Sequence, residues 1–500
     1  VAIDGEVYAA LENAIHGSAA SASLTIEGGS GGGWAPVTFT DGILFAGYAG
    51  DDGSAAEGFS SMGGGVLVPD FAGDGTGTIS ITGSDIALNG AFRYLSTAGT
   101  DEINGAGMIA AAGADASVTV RSYPTATGEG VTVNGPLVAA LGTSAGNASV
   151  EIAAGNGSAS TAGTLGVVSL HPAASPLYDP ANELAESTAV TARAGDPFGA
   201  APATSSITVR GDEGVTGSAG AGLVADGSQA SVQVQSYFGP VDLALSIAAD
   251  AASTASAQVY TGSGTEGYAG GAITVDGDVL AKASNSTGAA SVDISAFGAT
   301  GGNIYLGSGS IQANHPDGGG PASAARLKVF SEGGTVTQAA GNAATAMGYD
   351  PIVRIVADTG LTLDGDVVAV DSGTSAEVSV ETSTGDLTGT QPLSADTVTI
   401  DGGTTGTVDV LTNAGALVLG STSTASRGDF YVDNSSHTGS VTFEDAGDTT
   451  FNVLALKFGG AAALQSSLQA NAYAMAATGT LDLSGWTVTL TGTATAADAA

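Results

Sequence analysis

Apolar and polar residues alternate in short segments along most of this chain, and two of these segments recur. The first reads apolar, any residue, apolar, any residue, glycine, and it occurs at 1–5, 86–90, 131–135, 207–211, 273–277, 361–365 and 398–402. The second reads Ala-Ser-Val, any residue, apolar, and ends at Val120, Ile152, Val234 and Ile294. A period of two predicts a strand with one buried side, and recurrence along a chain indicates stacked copies of one unit. The pattern therefore predicts an all-β fold, a parallel β-helix or β-solenoid with side loops.

The quality of the repeats divides the chain into three expected sections. Residues 1–78 hold weaker copies and should form an irregular N-terminal section, 79–425 should form the regular solenoid, and 426–500 a C-terminal section. Five prolines between 170 and 206 predict a loop that leaves the solenoid, because proline removes a strand hydrogen bond. Residues 460–477 lose the two-residue period and predict a helix.

Composition restricts the partners and the location. The chain has 79 glycines, no cysteine, and 49 acidic against 10 basic residues, a net charge of −39. Such a field repels phosphate groups and anionic lipid, so we expect neither nucleic-acid binding nor membrane insertion. We expect an extracellular protein of a cell surface or matrix. Because Val1 is not a translation start, we also expect a processed or partial chain.

Acidic residues beside glycine are the first candidate chemistry. Asp276 and Asp278, like Asp364 and Asp366, flank the glycine that ends a repeat, where Asp-Gly is ordinary turn chemistry. Calcium is the alternative, here and at 51–53 and 70–75, because carboxylate and carbonyl oxygens are its ligands. No other cofactor is expected.

Catalysis is not expected from these residues. Polysaccharide lyases need grouped cations and hydrolases need two carboxylates in one cleft, whereas the three lysines, Lys282, Lys328 and Lys457, are scattered. A polysaccharide-processing β-helix is kept as a distant alternative.

The tripeptide Arg-Gly-Asp occurs twice, as Arg210, Gly211 and Asp212 and as Arg427, Gly428 and Asp429. In an adhesin it would suggest recognition by integrins. The competing interpretation is structural, with Arg210 filling the turn position that Asp276 holds in a sister repeat.

Residues 302–313 (GNIYLGSGSIQA), with 327–329 and 334–338 (GTVTQ), carry a family resemblance. Their phrasing resembles the repeats of secreted adhesins of the filamentous-haemagglutinin type. The resemblance implies a right-handed parallel β-helix that is exported across an outer membrane and works as an adhesin or fibre.

The expected function is a structural subunit that assembles head to tail into a surface or matrix filament. An uncovered strand edge recruits another chain, and strand-like residues at both ends are the expected contacts: Val1, Ile3, Val7, Leu481, Leu483, Trp486, Val488 and Leu490. The alternative is the rod of a large adhesin that binds glycans or cell surfaces.

Overall fold

A computed structural model describes most of the chain. The described residues are 1–5, 7–11, 21–29, 33–48, 59–62, 66–69, 75–90, 92–97, 100–105, 108–135, 137–142, 146–155, 166–171, 188–194, 203–220, 222–262, 270–298, 302–315, 324–371, 375–401, 408–420, 430–434, 440–443, 454–458, 462–463, 468–470, 474–475, 481–482 and 488–490. They belong to two compact units, Val1–Gly271 and Ala272–Ala500.

Every regular element among the described residues of the first unit is a strand. In chain order these strands are β1 (Ala2–Asp4), β2 (Val7–Leu11), β3 (Ser21–Glu27), β4 (Val37–Asp41), β5 (Ile43–Tyr48), β6 (Phe59–Met62), β7 (Val66–Pro69), β8 (Thr76–Gly83), β9 (Ile86–Asn89), β10 (Phe92–Thr97), β11 (Thr100–Gly105), β12 (Met108–Gly113), β13 (Asp115–Ser122), β14 (Gly130–Asn134), β15 (Leu137–Gly142), β16 (Asn147–Ala154), β17 (Val167–His171), β18 (Thr188–Ala194), β19 (Thr204–Gly211), β20 (Gly214–Gly217), β21 (Gly222–Ser236), β22 (Val241–Leu243) and β23 (Ser246–Thr261).

The described elements of the second unit are also strands. They are β24 (Ile273–Val275), β25 (Val279–Ala283), β26 (Ala289–Ala296), β27 (Ile304–Leu306), β28 (Ser310–Asn314), β29 (Ala324–Ser331), β30 (Thr335–Gln338), β31 (Ala343–Gly348), β32 (Ile352–Ala357), β33 (Gly360–Leu363), β34 (Asp366–Asp371), β35 (Glu377–Thr382), β36 (Leu387–Gly389), β37 (Leu393–Asp401), β38 (Val408–Gly420), β39 (Phe430–Asn434), β40 (Ser440–Phe443), β41 (Leu454–Phe458), β42 (Ala462–Ala463), β43 (Leu468–Ala470), β44 (Ala474–Met475), β45 (Leu481–Asp482) and β46 (Val488–Leu490).

Strands of successive coils pair in parallel, and each coil of the first unit has three sides. Face A contains β1, β4, β9, β14, β17, β20 and β22. Face B contains β2, β5, β12, β15, β18 and the first halves of β21 and β23. Face C contains β3, β8, β13, β16, β19 and the second halves of β21 and β23. The predicted parallel β-helix is thus confirmed.

The second unit repeats this arrangement. Face A begins with β24, β27, β30, β33 and β36, face B with β25, β28, β31 and β34, and face C with β26, β29, β32 and β35. The long strand β38 then passes through all three faces, pairing with β36 and β39 on face A, with β37 on faces B and C, and with β40 on face C. The handedness of the coils stays a prediction.

The two recurring segments belong to different faces, with two exceptions that share the pattern of the first segment. Residues 86–89 and 131–134 lie on face A, whereas the Ala-Ser-Val segments lie on face C. Residues 207–211 and 398–401 resemble the first segment but pair within face C. The glycines that follow the face A strands, Gly5, Gly90 and Gly135, adopt φ of 112°, 133° and 91°, which allow the corner towards face B.

Alternate residues of each strand point inward and fill the core. Face B contributes an alanine column that sequence alone did not reveal, in which Ala111, Ala140 and Ala192 are fully buried and stacked. Larger side chains lie on all three faces, including Phe39 on face A, Leu44 on face B and Ile79 on face C. Each buried aliphatic side chain contributes about 1.5–3 kcal/mol, so the core is strong only where these larger residues lie.

Insertions enter at the corners and change the length of a coil. The antiparallel hairpins β6–β7 and β10–β11 interrupt the first unit. Within the segment expected to loop out, β18 returns to face B, and 172–187 and 195–202 lie outside the described residues. The helix expected at 460–477 is wrong in its described parts, because β42, β43 and β44 are strands.

Candidate functional site

Acidic and amide side chains at the corners accept hydrogen bonds from the neighbouring coil. Asp278 Oδ1 accepts hydrogen bonds from the Ser310 nitrogen at 2.7 Å and the Ser310 hydroxyl at 2.9 Å. Asn303 Oδ1 accepts the same pair from Thr335, at 2.9 and 3.1 Å. Asp364 Oδ1 accepts from the Thr390 hydroxyl at 3.0 Å. Each acceptor bonds to groups of the next coil at a corner, so these side chains link neighbouring coils, and the local turn chemistry expected from the sequence stays a prediction.

The calcium alternative concerns several of the same residues. Among the residues that the structure describes, no group of three or more Asp, Glu, His or Cys side chains is placed to hold a metal ion. Residues 51–53 and 70–74 lie outside the described part. Calcium binding therefore stays a prediction.

The first Arg-Gly-Asp sequence lies in a strand and the corner after it. Gly211 ends β19 and pairs with Ala154 and Ser236. A Cβ added to Gly211 would lie 2.0 Å from the Gly214 carbonyl oxygen, so this position requires glycine. Asp212 is only 4% exposed. The second sequence, 427–429, lies outside the described residues.

Arg210 takes part in an ion-pair cluster that spans three coils, and not in a turn as the sequence comparison with Asp276 suggested. Its strand register places it beside Ala153, and Ala153 is beside Arg121 on its other side. Glu151 lies between the two arginines, with its Oε1 2.5 Å from Arg121 Nη2 and 3.9 Å from Arg210 Nη2. The three side chains are 34%, 25% and 33% exposed for Arg121, Arg210 and Glu151.

An aromatic pair adjoins this cluster at the corner from face C to face A. The rings of Trp34 and Tyr123 are stacked, with centroids 4.8 Å apart and planes 20° apart. Both residues are half-buried. Hydrogen bonding to Glu151, and then to Tyr123, raises the pKa of the Arg121 guanidinium and keeps it charged. We call Trp34, Arg121, Tyr123, Glu151 and Arg210 the Arg121 corner.

Hydroxyl side chains continue outward along face C beside the Arg121 corner. Ser117, Ser149 and Ser206 occupy one outward column, and Thr119 and Thr208 flank Glu151 in the next. Neighbouring hydroxyls are close enough to interact, as shown by Ser117 Oγ, which donates to Thr78 Oγ1 at 3.4 Å. These two columns present hydroxyls beside the cluster, and exposed Glu27 lies two coils from Arg121 in the third outward column.

The second unit has a smaller group that also combines a cation, a carboxylate and an aromatic ring. Lys328 Nζ lies 3.4 Å from Asp293 Oδ2 and 5.2 Å from the centre of the Phe330 ring. Arg354 and Glu381 form a plain ion pair at 3.2 Å on the same face. These pairs provide natural comparisons for the Arg121 corner.

Apart from Val1, which precedes β1, the described residues expected to mediate assembly lie on strands. Val1 is 56% and Val7 is 37% exposed, and Ile3 is half-buried. Leu481 lies on β45, and Val488 and Leu490 lie on β46, which pair with β42 and β43. Leu483 and Trp486 lie outside the described residues.

Sequence reasoning missed the Arg121 corner, although one signal was present. Two of the seven arginines follow the same Thr-Val dipeptide, at 119–121 and 208–210. Reading both as strand ends would have placed Arg121 and Arg210 on one face. Trp34 carried no such signal, because it stands in an irregular glycine-rich stretch.

Comparisons with family models, curated proteins and solved structures found no match to this chain. In the described part of the chain there is no helix with the length and apolar character needed to span a membrane.

Proposed function

We propose that this chain is an extracellular structural protein, a β-solenoid subunit of a surface or matrix filament. The observation that supports the proposal is the continuous parallel pairing of successive coils on three faces within each unit. Corner bonds such as Asp278 to Ser310 add links between coils. Repeating main-chain pairing makes the solenoid stiff, and a structural role of this kind requires no reactive centre.

Head-to-tail assembly is the second part of the proposal. Within the described residues, β1 pairs with β4 alone and β2 with β5 alone. Where no other segment covers these edges, their unpaired backbone groups can bond to a second copy of the chain. Exposed Val7 lies at this edge.

Electron microscopy of the purified 500-residue chain tests assembly. Val7→Lys places a charge at the proposed contact, and Val370→Lys is the matched control, because Val370 is 42% exposed on β34, which pairs on both sides with other strands. We expect filaments from the unmodified chain and from Val370→Lys, and shorter or no filaments from Val7→Lys. Monomers alone, at high concentration and in high salt, would contradict head-to-tail assembly.

The rod of a secreted adhesin of the filamentous-haemagglutinin type is the second candidate. The parallel β-helix is compatible with it, and the Arg121 corner is the specific observation that favours it. Adherence of the purified chain to cells or polysaccharide-coated surfaces tests this candidate.

A further inference from the structure

We propose that the Arg121 corner binds an acidic glycan, specifically a polysaccharide segment that carries uronic-acid carboxylates. This inference is independent of filament assembly. It depends on the local charge, the state of the two guanidinium groups, the aromatic pair and the surrounding hydroxyls.

The charge of the corner is opposite to that of the chain as a whole. The chain has a net charge of −39 and only seven arginines, yet two of these arginines share one carboxylate here. Asp212 follows Arg210 closely in sequence but is buried. Arg121, Arg210 and Glu151 therefore sum to one positive charge, which favours an anionic group beside Arg210, while exposed Glu27 lies two coils from Arg121 on its other side.

The two guanidinium groups are not equally occupied. Arg121 Nη2 holds Glu151 at 2.5 Å, whereas Arg210 Nη2 is 3.9 Å from the same oxygen, beyond hydrogen-bond distance. Arg121 Nε is buried and has no hydrogen-bond partner among the described residues. A guanidinium has five donors in a planar fork that matches a carboxylate. With respect to the described residues, Arg210 thus retains donors for a ligand carboxylate.

The residue between the two arginines is small and has no exposed surface. Ala153 lies between Arg121 and Arg210 in the register of face C and is fully buried, although it occupies an outward position. The two arginines are two coils apart, about 10 Å along the stack. Their spacing leaves Glu151 in the centre and one guanidinium on each side of it.

The stacked rings extend the corner in the other direction. Trp34 follows β3 and Arg210 ends β19, so the corner crosses five successive coils, about 19 Å. Sugar rings present C–H groups that pack on aromatic rings, and their hydroxyls bond to polar side chains such as Ser149 and Thr208. The combination of rings, hydroxyls and a cation fits an extended acidic oligosaccharide.

Ring C–H groups and sugar hydroxyls, rather than charge spacing, separate this ligand from nucleic acid. Nucleic acid has one charge per phosphate at close spacing and is repelled by a strongly acidic chain. A uronic-acid oligosaccharide such as alginate also has one charge per sugar, but at physiological salt the distant acidic residues are screened beyond about 8 Å, so the groups of the Arg121 corner decide which ligand binds. Local attraction at Arg210 then outweighs the general repulsion.

The experiment measures binding of an alginate oligosaccharide to the full 500-residue chain by titration calorimetry. A cello-oligosaccharide of equal length is the neutral probe, and single-stranded DNA is the polyanion probe. We expect saturable binding of alginate alone, and Arg210→Gln should weaken it about tenfold or more, the effect of losing one charge-assisted pair. Arg354→Gln, which breaks an ion pair of the second unit, should leave the affinity unchanged.

Trp34→Phe provides a second measurement, because it keeps an aromatic ring but removes the indole. Fluorescence of Trp34 should change on addition of alginate, and this signal should vanish in Trp34→Phe while calorimetric binding persists. Circular dichroism checks that each variant folds. The proposal is overturned by absence of alginate binding, by equal or tighter binding of cello-oligosaccharide or DNA, or by a folded Arg210→Gln with unchanged affinity. Filament formation is measured separately and does not affect these outcomes.

Discussion

Replacing Asp278 with alanine removes the acceptor of two hydrogen bonds from Ser310, at 2.7 and 2.9 Å. A hydrogen bond to a charged group contributes about 1.5–3 kcal/mol when shielded from water. The contact is exposed, and solvent weakens charged interactions there. We therefore expect Asp278→Ala to lower the free energy of unfolding by about 1 kcal/mol.

Asp278→Asn separates the hydrogen-bonding role from the calcium alternative. Asn303 already accepts the equivalent two bonds from Thr335, so an amide oxygen at 278 should retain most of the stability, with a loss under about 0.5 kcal/mol. A calcium site would lose a charged ligand in the same variant. Asp409→Ala is the control for charge alone, because Asp409 is exposed on β38.

Thermal unfolding by circular dichroism and amide hydrogen exchange at Ser310 provide the measurements. Exchange at Ser310 should be faster in Asp278→Ala and close to normal in Asp278→Asn and Asp409→Ala. If asparagine is as damaging as alanine, or if calcium raises the melting temperature only when Asp278 is present, the turn interpretation is wrong.

Three further predictions concern glycine, core and pH. Gly211→Ala should lower the free energy of unfolding by about 1–3 kcal/mol, because the added Cβ would clash with the Gly214 carbonyl oxygen. Gly33→Ala is the control and should not lower it, because no atom lies within 4 Å of the added Cβ. An unchanged melting temperature for Gly211→Ala would contradict the strand placement. Ala140→Leu should lower the free energy of unfolding, measured by chemical denaturation, by about 1–3 kcal/mol, because it overfills the core at face B. Equal stability would contradict this and indicate unfilled space beside Ala140. Burial opposes ionisation of Glu129, but hydrogen bonds from Thr125 and Ala126 outweigh it and lower its pKa. The stability from Glu129 is present above its unfolded pKa and lost as pH falls through the folded one. Glu129→Gln should therefore melt earlier than the unmodified chain at neutral pH and equally below the carboxyl range; a difference that persists in acid would refute this.

Local alternation was sufficient to predict the fold, because a strand with one buried side has the same period wherever it lies. Inward residues such as Val131 and Val133 were recognisable from this period, and Asp278 from its place beside a glycine. The alanine column of face B was not recognised from the sequence. Alanine fits a narrow interior but does not distinguish a strand from other structures.

Which segments lie next to each other was decided only by the tertiary structure. Coil partners are 47 residues apart at Ser169 and Thr216, and 25 apart at Asp358 and Ser383. Because corners accept insertions without disturbing the pairing, sequence spacing does not reveal register. The Arg121 corner depends on this register, since it brings residues of four coils to one surface.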